Sequence, residues 1–366
     1  MSVERDAERE EFLGRAGWSG ARIAPLPGDA STRRYARVAL NGRRALLMDQ
    51  PQGAESPAAP GDASPEQRRA LGYNAVARLA GADCTRFVAA AEHLRGLGLS
   101  APIIHAADPE RGFVLIEDLG DDLYADVLAR GADERELYEQ AAEVLAALHA
   151  GPAPSVLRPG TTLHPYDETA LLAEIDLMTE WYLPYALGRA AQGEEVEAHR
   201  ALWREALRSV EEPSPVFVHR DYHAQNLFWL PERGGPARVG LIDFQDAVAG
   251  TRAYDLVSLI EDARRDVSAD IAEAAVRRYL SAAATADAER FRAQMAVMAA
   301  QRNTKIAGIF ARLHARDGKP RYLDYLPRVW GYLDRDLDHP ALANLKSWYD
   351  KTIPRYARGR GNGGAD

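Results

Sequence analysis

Alternating and continuous apolar runs divide the chain into a strand-rich opening part and a helix-rich remainder. A predicted helix and three strand-type runs come first, over residues 4–16, 22–26, 34–40 and 44–49. Asn41 and Gly42 separate the last two runs, and an Asn-Gly pair in that position is a strong signal for a β-hairpin. The pattern therefore predicts that the chain opens with a helix followed by a small antiparallel sheet.

Two further strand-type segments, 103–105 and 112–117, end the strand-rich part. The second contains the continuously apolar run FVLI, as expected of a buried strand. Between the two groups of strands, residues 51–65 are rich in Pro, Ala, Gly and Ser, and we expect a mobile surface loop there. Helical patterns follow this loop at 66–79 and 85–97. The opening part is thus predicted to be a sheet with helices inserted before its last two strands.

Beyond Gly120 helical periodicity dominates, interrupted by one short β-rich island from Val216 to Phe244. The longest helical patterns cover residues 133–149, 167–187, 193–210, 268–284, 287–315 and 339–352. This order predicts an α+β fold with two lobes and a ligand-binding cleft between them. The predicted parts are an N-terminal lobe over 1–119, a C-terminal lobe over 120–356 and a disordered tail over 357–366, which is rich in Gly and charge.

Composition and charge narrow the class of protein. The 366 residues carry a net charge of −9, which argues against a general affinity for nucleic acid or an acidic membrane surface. Cys84 is the single cysteine, which excludes an internal disulfide and a cysteine-based zinc site. The N-terminus lacks the apolar core of a signal peptide, and no run approaches the ~20 apolar residues of a membrane span. We expect a cytoplasmic protein without nucleic-acid or membrane partners, and the sequence does not indicate an oligomeric state.

The residues with the clearest chemical meaning lie in the β-rich island. An apolar strand runs into a polar loop that contains Asp221 and Asn226, and Asp243 directly follows a later apolar strand. Phosphoryl transfer needs one carboxylate to orient the attacking hydroxyl and take its proton, and further oxygen ligands to hold Mg²⁺ against the phosphates. Asp221 fits the first role, and Asn226 and Asp243 fit the second. The pattern predicts an ATP- and Mg²⁺-dependent phosphotransferase with Asp221 as its catalytic base.

These residues also match a known motif set. The run HRDYHAQN, which ends at Asn226, matches the kinase catalytic loop H-R-D-x-x-x-x-N. The run IDFQ around Asp243 matches the metal-binding element of kinases, with Gln245 where protein kinases have Gly. Together with the later run YDL, they resemble the aminoglycoside phosphotransferase superfamily, which has a protein-kinase-like fold. The resemblance implies that Asp255 braces the catalytic loop through backbone amides and that His219 supports the same loop.

The turn between the first two predicted strands resembles the loop that covers the ATP phosphates in kinases. Its candidate nucleotide-binding residues are Gly28, Asp29, Ser31, Thr32 and Arg33. Glycine lets backbone amides approach an anion, and hydroxyl and guanidinium groups add further donors. The Lys that protein kinases carry on the third strand is missing, and Met48 stands near its place. Either Arg33 or Arg34 takes over its role, or nucleotide binding is weak.

The connector between the predicted lobes, which reads EDLG, completes the expected nucleotide site. We expect backbone groups near Glu117 and Leu119 to contact the adenine, with little contribution from side chains. Glu92 is the candidate for the acidic helix residue that pairs with the third-strand Lys in protein kinases, although a solvent-exposed helix position fits it better.

Within the superfamily, the chain resembles the bacterial anomeric kinases of N-acetylmuramate and N-acetylglucosamine. The similar runs are GDASTRRYARV, MDQP, ERGFVLIEDLG and QRNTKIAGIFARL, and the resemblance spans residues 10–355. It implies transfer of the γ-phosphoryl group of ATP to the anomeric hydroxyl of a small-molecule amino sugar. The implied product is the sugar 1-phosphate, and the implied setting is peptidoglycan recycling in the cytoplasm.

Several residues of the C-terminal lobe are candidates for the sugar site. Trp181 offers an aromatic face, with Glu174 and Asp176 nearby in sequence, although core packing is the alternative for the aromatic ring. Arg302 is the candidate partner for a substrate carboxylate such as that of muramate, although a solvent-exposed helix face also fits it. These four residues are the predicted acceptor-binding set.

Two other functions fit the same catalytic residues. One is a kinase for another small hydroxyl compound, such as an aminoglycoside, choline or homoserine, and the acidic composition does not decide between these acceptors. The other is a nucleotide-binding pseudokinase that serves as a scaffold, which the missing third-strand Lys suggests. The presence of Asp221, Asn226 and Asp243 argues against a scaffold, because a scaffold needs none of them.

Overall fold

The computed structural model describes residues 3–27, 33–51, 59–60, 63–77, 79, 84–157, 160–285 and 287–361. The strands of its first part are β1 (Arg22–Pro25), β2 (Arg34–Leu40), β3 (Arg43–Asp49), β4 (Ile104–Asp108) and β5 (Phe113–Ile116). They form one antiparallel sheet with the order β1-β2-β3-β5-β4. The helices of this part are α1 (Val3–Arg15), α2 (Pro65–Leu71), α3 (Tyr73–Ala77) and α4 (Thr85–Gly96). The predicted antiparallel sheet is therefore confirmed.

The hairpin between β2 and β3 turns at the predicted Asn-Gly pair. Asn41 and Gly42 have φ angles of 50° and 79°, in the left-handed region that a two-residue hairpin turn requires and that Asn and Gly adopt most readily. The resulting register places Tyr35 opposite Met48. Met48 is fully buried, so a thioether fills the place where protein kinases carry a Lys.

The two faces of the sheet are buried in different cores, because successive side chains of a strand point to opposite faces. Leu47 shares a small core with Phe12 of α1 and with Phe113 of β5. Its neighbour Met48 lies in the main core together with Phe87 of α4. The same main core continues into the helical remainder of the chain, so the sheet and the helices are joined by continuous packing.

The remainder of the chain follows a connector at residues 117–120 and is mostly helical. Its helices are α5 (Tyr124–Ala129), α6 (Glu134–Leu148), α7 (Glu168–Leu177), α8 (Leu183–Leu187), α9 (Gly193–Ser209), α10 (Ala253–Ile260), α11 (Ala269–Ala282), α12 (Ala288–Asp317), α13 (Leu326–Asp336) and α14 (Ala343–Thr352). Its strands are β6 (Val156–Leu157), β7 (Thr161–Thr162), β8 (Val216–Val218), β9 (Leu227–Trp229), β10 (Val239–Leu241) and β11 (Val248–Gly250). The α+β fold class predicted from the sequence is confirmed.

The helical part differs from the prediction, because α5, α10 and α13 were not predicted and one predicted helix is interrupted. The helix predicted over 167–187 is interrupted by a π-helical turn at Met178–Tyr182, between α7 and α8. Helix α13 contains Pro327, which would break a helix in its interior. It lies in the first turn of α13, where proline is tolerated because its missing N–H has no partner to lose.

The predicted disordered tail begins too early. Arg358 forms ion pairs with Asp334 and Asp350 at 2.6 and 2.8 Å. The backbone amide of Gly359 donates a hydrogen bond to the hydroxyl of Tyr182 at 3.0 Å. These contacts attach the chain to α13, α14 and the π-helical turn, and the tail from 362 to 366 lies outside the described residues.

Most of the loop predicted over 51–65 also lies outside the described residues, which omit 52–58 and 61–62. Among the helices of the described chain, none is both long and apolar enough to cross a membrane.

Candidate active site

The catalytic loop follows β8 and takes an uncommon backbone conformation at Arg220. The φ angle of Arg220 is 75°, in a region that costs a non-glycine residue of order 1–3 kcal/mol unless its surroundings hold it there. The carboxylate of Asp255, in the first turn of α10, accepts hydrogen bonds from the backbone amides of His219 and Arg220 at 2.7 and 2.8 Å. Asp255 is fully buried, so these two bonds hold the loop from behind.

Asn226 and Asp243 meet beside this loop. Asn226 Nδ2 donates to the backbone oxygen of Asp221 at 2.9 Å and lies 3.4 Å from Asp243 Oδ2. The pairing of β9 with β10 brings them together, since Leu227 after Asn226 is opposite Leu241, two residues before Asp243. The structure thus places the backbone of the predicted base and the two predicted metal ligands around one point.

The side chain of Asp243 is oriented by Gln245, which sequence analysis noted only because protein kinases have Gly at that position. Asp243 has a φ angle of 63°, and Gln245 Nε2 donates to its Oδ1 at 2.9 Å. Gln245 is buried, whereas the Asp243 side chain is 38% exposed. Phe244 between them packs on Phe87 of α4, with ring centres 5.0 Å apart. Gln245 therefore supports the site. In the sequence, this role was indicated only by a Gln at the position where protein kinases have Gly.

The donor set at this point fits magnesium. In the described part of the chain, no group of three or more His, Cys, Asp and Glu side chains could hold a metal ion. Mg²⁺ is usually bound through one or two carboxylates, with phosphate and water oxygens completing its octahedron. The Asp243 carboxylate is exposed enough to be a ligand, and Asn226, whose nitrogen is occupied by Asp221 O, keeps its amide oxygen available. The two residues can hold Mg²⁺ together with a phosphate-bearing substrate.

Asp221 is half-buried and is surrounded by positive charge. Burial raises the pKa of its carboxyl, but the charges of Lys305 and Arg220 outweigh burial and hold the pKa below its ordinary value. The carboxyl is therefore ionised at neutral pH. An ionised carboxylate can accept the proton of a hydroxyl group that is held against it.

A buried charge cluster lies behind the catalytic loop. Glu174 Oε1 accepts hydrogen bonds from Arg220 Nη2 at 2.7 Å and from Lys305 Nζ at 3.2 Å. Glu174 Oε2 accepts from the hydroxyl of Tyr166 and from Gln301 Nε2. Burial raises the pKa of Glu174, but the two cations outweigh it and the pKa is lowered. Both oxygens of this predicted acceptor-site residue are thus used to attach the catalytic loop to α7 and α12.

Two other predicted acceptor-site residues are also engaged in contacts with neighbouring elements. Asp176 lies two residues after Glu174 on α7 and therefore faces the opposite side of the helix. It pairs with Arg200 of α9 at 2.7 and 2.8 Å. Arg302 is buried, and its Nη1 donates to the backbone oxygen of Glu261 at 3.0 Å. The alternative of a solvent-exposed helix face is therefore wrong for Arg302.

Trp181, the fourth predicted acceptor-site residue, lies half-buried in the π-helical turn. Its ring centre is 5.9 Å from the guanidinium carbon of Arg312 on α12. Sequence analysis did not single out Arg312 and gave Lys305 no role, although both lie in the run QRNTKIAGIFARL. Their spacing of seven residues on one helix was the available signal, since it places both on the same face.

Arg33 reaches the metal-binding residues from the N-terminal sheet. Its Nη2 donates to Asp243 Oδ1 at 3.2 Å, whereas Arg34 is exposed. The other predicted nucleotide-binding residues of this turn, Gly28, Asp29, Ser31 and Thr32, lie outside the described residues. Of the two arginines considered in place of the missing Lys, the structure brings Arg33 to Asp243.

Some backbone groups of the connector have no hydrogen-bond partner among the described residues. Outside helices and strands, the hydrogen bonds of the described backbone include none to the Glu117 oxygen or from the Leu119 amide. The Glu117 amide donates to Ile103 O at 2.8 Å, and its side chain pairs with Arg233 at 2.6 Å. Glu92, the candidate acidic partner on α4, is exposed. The connector thus leaves main-chain groups, rather than side chains, for a nucleotide base.

The two histidines of the catalytic loop pack differently. The buried ring of His219 meets Tyr222 and Phe244 edge-on, at 5.5 and 6.2 Å, which stabilises the loop. His223 is also buried, and burial lowers its pKa to about 4. Its Nε2 lies 3.4 Å from Asn226 Nδ2. His223 is therefore neutral at neutral pH and packs beside the predicted metal ligands.

The chain is similar in sequence to known proteins. A family model described as the phosphotransferase enzyme family matches residues 22–294. The chain is similar to the N-acetylmuramate/N-acetylglucosamine kinase of Caulobacter vibrioides, with 47% identity over 97% of this chain and 98% of that one. It is also similar to the protein of the same name from Pseudomonas aeruginosa, with 35% identity over 90% of this chain and 89% of that one.

Solved structures share the fold. The aminoglycoside phosphotransferase APH(2'')-Ib in its ADP-bound form has a TM-score of 0.56 at 12% identity and covers 94% of this chain and 99% of its own. The choline kinase LicA from Streptococcus pneumoniae has a TM-score of 0.53 at 12% identity and covers 96% of this chain and 99% of its own. These likenesses concern the fold alone, and they confirm the protein-kinase-like fold. The family model matches most of the chain, so the chain belongs to the phosphotransferase enzyme family.

Proposed function

We propose that this protein is an ATP- and Mg²⁺-dependent kinase that phosphorylates the anomeric hydroxyl of N-acetylmuramate, N-acetylglucosamine or both. The observation that carries the proposal is the meeting of Asp221, Asn226 and Asp243, because phosphoryl transfer needs a base and hard oxygen donors at one point. The relatives named as kinases of these sugars, one of them 47% identical over nearly the whole chain, support this choice of acceptor.

Asp221 is the residue that we assign to the acceptor hydroxyl. Its carboxylate stays ionised beside Lys305, and Asp255 holds the backbone that carries it. Asp221 would accept the proton of the anomeric hydroxyl as that oxygen attacks the γ-phosphorus. The new O–P bond forms while the bond from the γ-phosphorus to the β–γ bridging oxygen breaks, which yields the sugar 1-phosphate and ADP.

Asn226 and Asp243 are the residues that we assign to Mg²⁺. These two residues would hold Mg²⁺ together with the nucleotide, and the ion would supply positive charge against the charge that develops during transfer. Gln245 holds Oδ1 of Asp243, so the carboxylate keeps one orientation. This support matters because catalytic groups must be held close to their productive geometry by neighbours that are themselves fixed.

Arg33 is the residue that we assign to the role of the missing third-strand Lys. It already lies at the metal-binding carboxylate, 3.2 Å from Asp243 Oδ1. A guanidinium has five donors, so Arg33 can contact a phosphate while it keeps its bond to Asp243. Gly28, Asp29, Ser31 and Thr32 stay predicted as further phosphate contacts, and the backbone near Glu117 and Leu119 as the adenine contact.

The lobes follow from these assignments. We propose that residues 1–119 form the nucleotide-covering lobe and that the lobe from 120 onward carries the catalytic loop, the metal ligands and the sugar site. Peptidoglycan recycling in the cytoplasm is the setting that the sequence resemblance implies.

A panel of acceptors tests the proposed function. Release of ADP from Mg-ATP would be measured with N-acetylmuramate, N-acetylglucosamine, an aminoglycoside, choline and homoserine. We expect turnover with the amino sugars and none with 1-deoxy-N-acetylglucosamine, which lacks the anomeric hydroxyl. Turnover confined to another acceptor would contradict the choice of sugar. A thermal shift with Mg-ATP but no turnover on any acceptor would favour the pseudokinase.

A further inference from the structure

Arg312 on α12 lies between two aromatic rings that come from separate elements. Its guanidinium carbon is 5.2 Å from the ring centre of Tyr73 on α3 and 5.9 Å from that of Trp181 in the π-helical turn. Its Nη2 also donates to Asn74 Oδ1 at 3.3 Å. The side chain is half-buried, and these contacts hold the guanidinium in one place before any ligand arrives.

Among the residues that the structure describes, no carboxylate forms an ion pair with Arg312, although Arg316, one turn further on, pairs with Asp317 at 2.6 Å. Burial lowers the pKa of Arg312, and the charge of Arg316 lowers it further. The carboxylates of Glu180 and Asp317 partly oppose these two effects, but neither forms an ion pair with Arg312. A half-buried cation with no ion-pair partner among the described residues still favours an anion in direct contact.

Arg312 and Lys305 lie on the same face of α12, because seven residues correspond to nearly two helical turns. They are separated by ~10 Å along the helix axis. Lys305 marks the end near Asp221, since its charge lowers the pKa of that carboxyl. Burial raises the pKa of Tyr73, and Lys305 and Arg312 both oppose this increase, so Tyr73 lies near both cations. Lys305, whose charge acts on Asp221, and Arg312 therefore mark two points on one face of α12, ~10 Å apart along the helix axis.

Close packing fixes the elements that hold Arg312. Gly308 lies one turn from Lys305 and one turn from Arg312, and a Cβ on it would be 2.5 Å from the backbone carbon of Leu177. Helix α12 therefore touches the residue that directly precedes the π-helical turn. Such turns occur frequently at functional sites, and this one carries Trp181 to Arg312.

We infer that Arg312 binds a carboxylate on the acceptor sugar and so favours an acidic amino sugar over its neutral counterpart. The inference rests on the proposed function, because it concerns the acceptor of the same reaction. A guanidinium pairs with a carboxylate through two parallel hydrogen bonds, and the aromatic contacts restrict its orientation. Arg302, the residue that the sequence suggested for this role, is buried against Glu261. A neutral amino sugar would leave Arg312 without its anion, so the effect appears as discrimination between two sugars.

The ratio of kcat/KM for N-acetylmuramate to kcat/KM for N-acetylglucosamine tests the inference. We expect Arg312→Gln to lower this ratio about tenfold or more, because hydrogen bonds between charged groups contribute ~1.5–3 kcal/mol. The matched control is Arg316→Gln, which removes an arginine from the same helix that has a carboxylate partner of its own and should keep the ratio. An unchanged ratio in Arg312→Gln, or an equal loss for both sugars, would overturn the inference.

A neutral analogue separates the carboxylate from the rest of the sugar. The carboxamide of N-acetylmuramate has nearly the same shape without the charge. Wild-type protein should have a lower kcat/KM for the carboxamide than for the acid. In Arg312→Gln the two values of kcat/KM should be alike, because the substitution and the carboxamide remove the same interaction. Arg312→Lys, which keeps the charge but not the planar donors, should restore part of the preference. Equal discrimination by wild type and Arg312→Gln would contradict a contact between Arg312 and the carboxylate.

Direct binding distinguishes failure of this inference from failure of the proposed function. Isothermal titration would compare N-acetylmuramate binding to wild type and to Arg312→Gln in the presence of Mg²⁺ and ADP. If wild type phosphorylates neither sugar, the proposed function is wrong, and the titration still decides the role of Arg312. Weaker binding to Arg312→Gln supports that role, and equal binding rejects it.

Discussion

The proposed phosphate side of the active site and its proposed acceptor side are built in different ways. On the phosphate side, the catalytic loop and Asp243 come from one short stretch of chain, and its strand pairs bring them together. On the acceptor side, Tyr73, Trp181 and Arg312 come from three elements that are far apart in sequence. The chemistry common to the family is thus encoded locally, whereas the recognition of one acceptor depends on tertiary packing.

The two sides also differ in how their charges are balanced. On the phosphate side, Arg33 is paired with Asp243, and Arg220 with Glu174. On the acceptor side, Arg312 has aromatic and amide partners but no ion pair among the described residues. Charges that are already paired act on the nucleotide in the same way whichever acceptor is bound. A cation without an ion pair instead favours an acceptor that carries an anion. Substitutions on the two sides should therefore have different signatures.

The largest effect is expected from Asp221→Asn. Turnover should fall by ~10²–10⁴-fold, because a positioned general base contributes on that scale, and it should fall alike for N-acetylmuramate and N-acetylglucosamine. The affinity for Mg-ATP should stay near that of wild type. Steady-state kinetics with both sugars and titration with Mg-ATP measure these quantities. Near-normal turnover would reject Asp221 as the base, and unequal losses would show that the two sides are not separable.

The buried charge cluster that links the two sides gives the next largest effect. Glu174→Gln leaves Arg220 and Lys305 without their shared carboxylate, and removing one partner of a buried pair costs ~3–5 kcal/mol of unfolding free energy. Asp176→Asn is the matched control on the same helix, because its Arg200 partner is 32% exposed and such pairs contribute ~0.2–1 kcal/mol. Urea unfolding measures both. Equal losses of unfolding free energy in the two variants would show that the buried cluster contributes no more to stability than a partly exposed ion pair.

Two adjacent arginines sharpen the assignment on the phosphate side. Arg33→Gln should weaken ATP binding about tenfold or more, because a charge-assisted contact to phosphate is worth ~1.5–3 kcal/mol. Arg34→Gln should have little effect, since that side chain is exposed. Nucleotide titrations with and without Mg²⁺ separate a phosphate contact from an effect on the metal ligand Asp243. If Arg33→Gln weakened binding only in the presence of Mg²⁺, its role would be to support the metal site.

The last prediction lies outside both sides and concerns the pH dependence of stability. His199 is fully buried beside Trp203, and burial lowers its pKa to about 3. The unfolded chain protonates this residue near pH 6.5, so its stabilising contribution is complete above that pH. As pH falls below 6.5, this contribution decreases by about 1.4 kcal/mol per unit until pH approaches the folded pKa.

The matched pair His199→Gln and His105→Gln isolates the pH-dependent contribution of His199 to stability, because His105 is exposed. Urea unfolding between pH 7 and pH 5 should show a smaller loss of stability in His199→Gln than in wild type. His105→Gln should keep the wild-type slope. A wild-type slope in His199→Gln would mean that the buried imidazole becomes protonated in the folded protein.

The fold and the phosphate side could be predicted because their signals are local. The Asn41-Gly42 turn and the two-residue periodicity of the strands define the sheet. The spacing of Asp221, Asn226 and Asp243 marks the catalytic loop, because strand pairing alone brings them together. The order of strands, with β5 between β3 and β4, depends on packing against helices and could not be read from spacing.

The acceptor side could not be predicted because its residues are defined by what they contact. Glu174 was suggested as a sugar ligand, yet both of its oxygens are occupied by buried donors. Arg302 and Arg312 lie on the same helix and look alike in sequence. Only packing decides that the first donates to a backbone oxygen and the second meets two aromatic rings. The π-helical turn that carries Trp181 leaves no clear mark in the apolar pattern.

Phosphorus–proton correlation NMR of the reaction product tests the central claim most directly. The protein would be incubated with Mg-ATP and either N-acetylmuramate or N-acetylglucosamine, and the coupling partner of the new phosphorus signal would be identified. We expect the phosphorus to couple to the anomeric proton, with one ADP formed for each sugar 1-phosphate. Phosphate attached to any other hydroxyl, or the absence of a phosphorylated sugar, would contradict the assignment of this site to anomeric phosphoryl transfer.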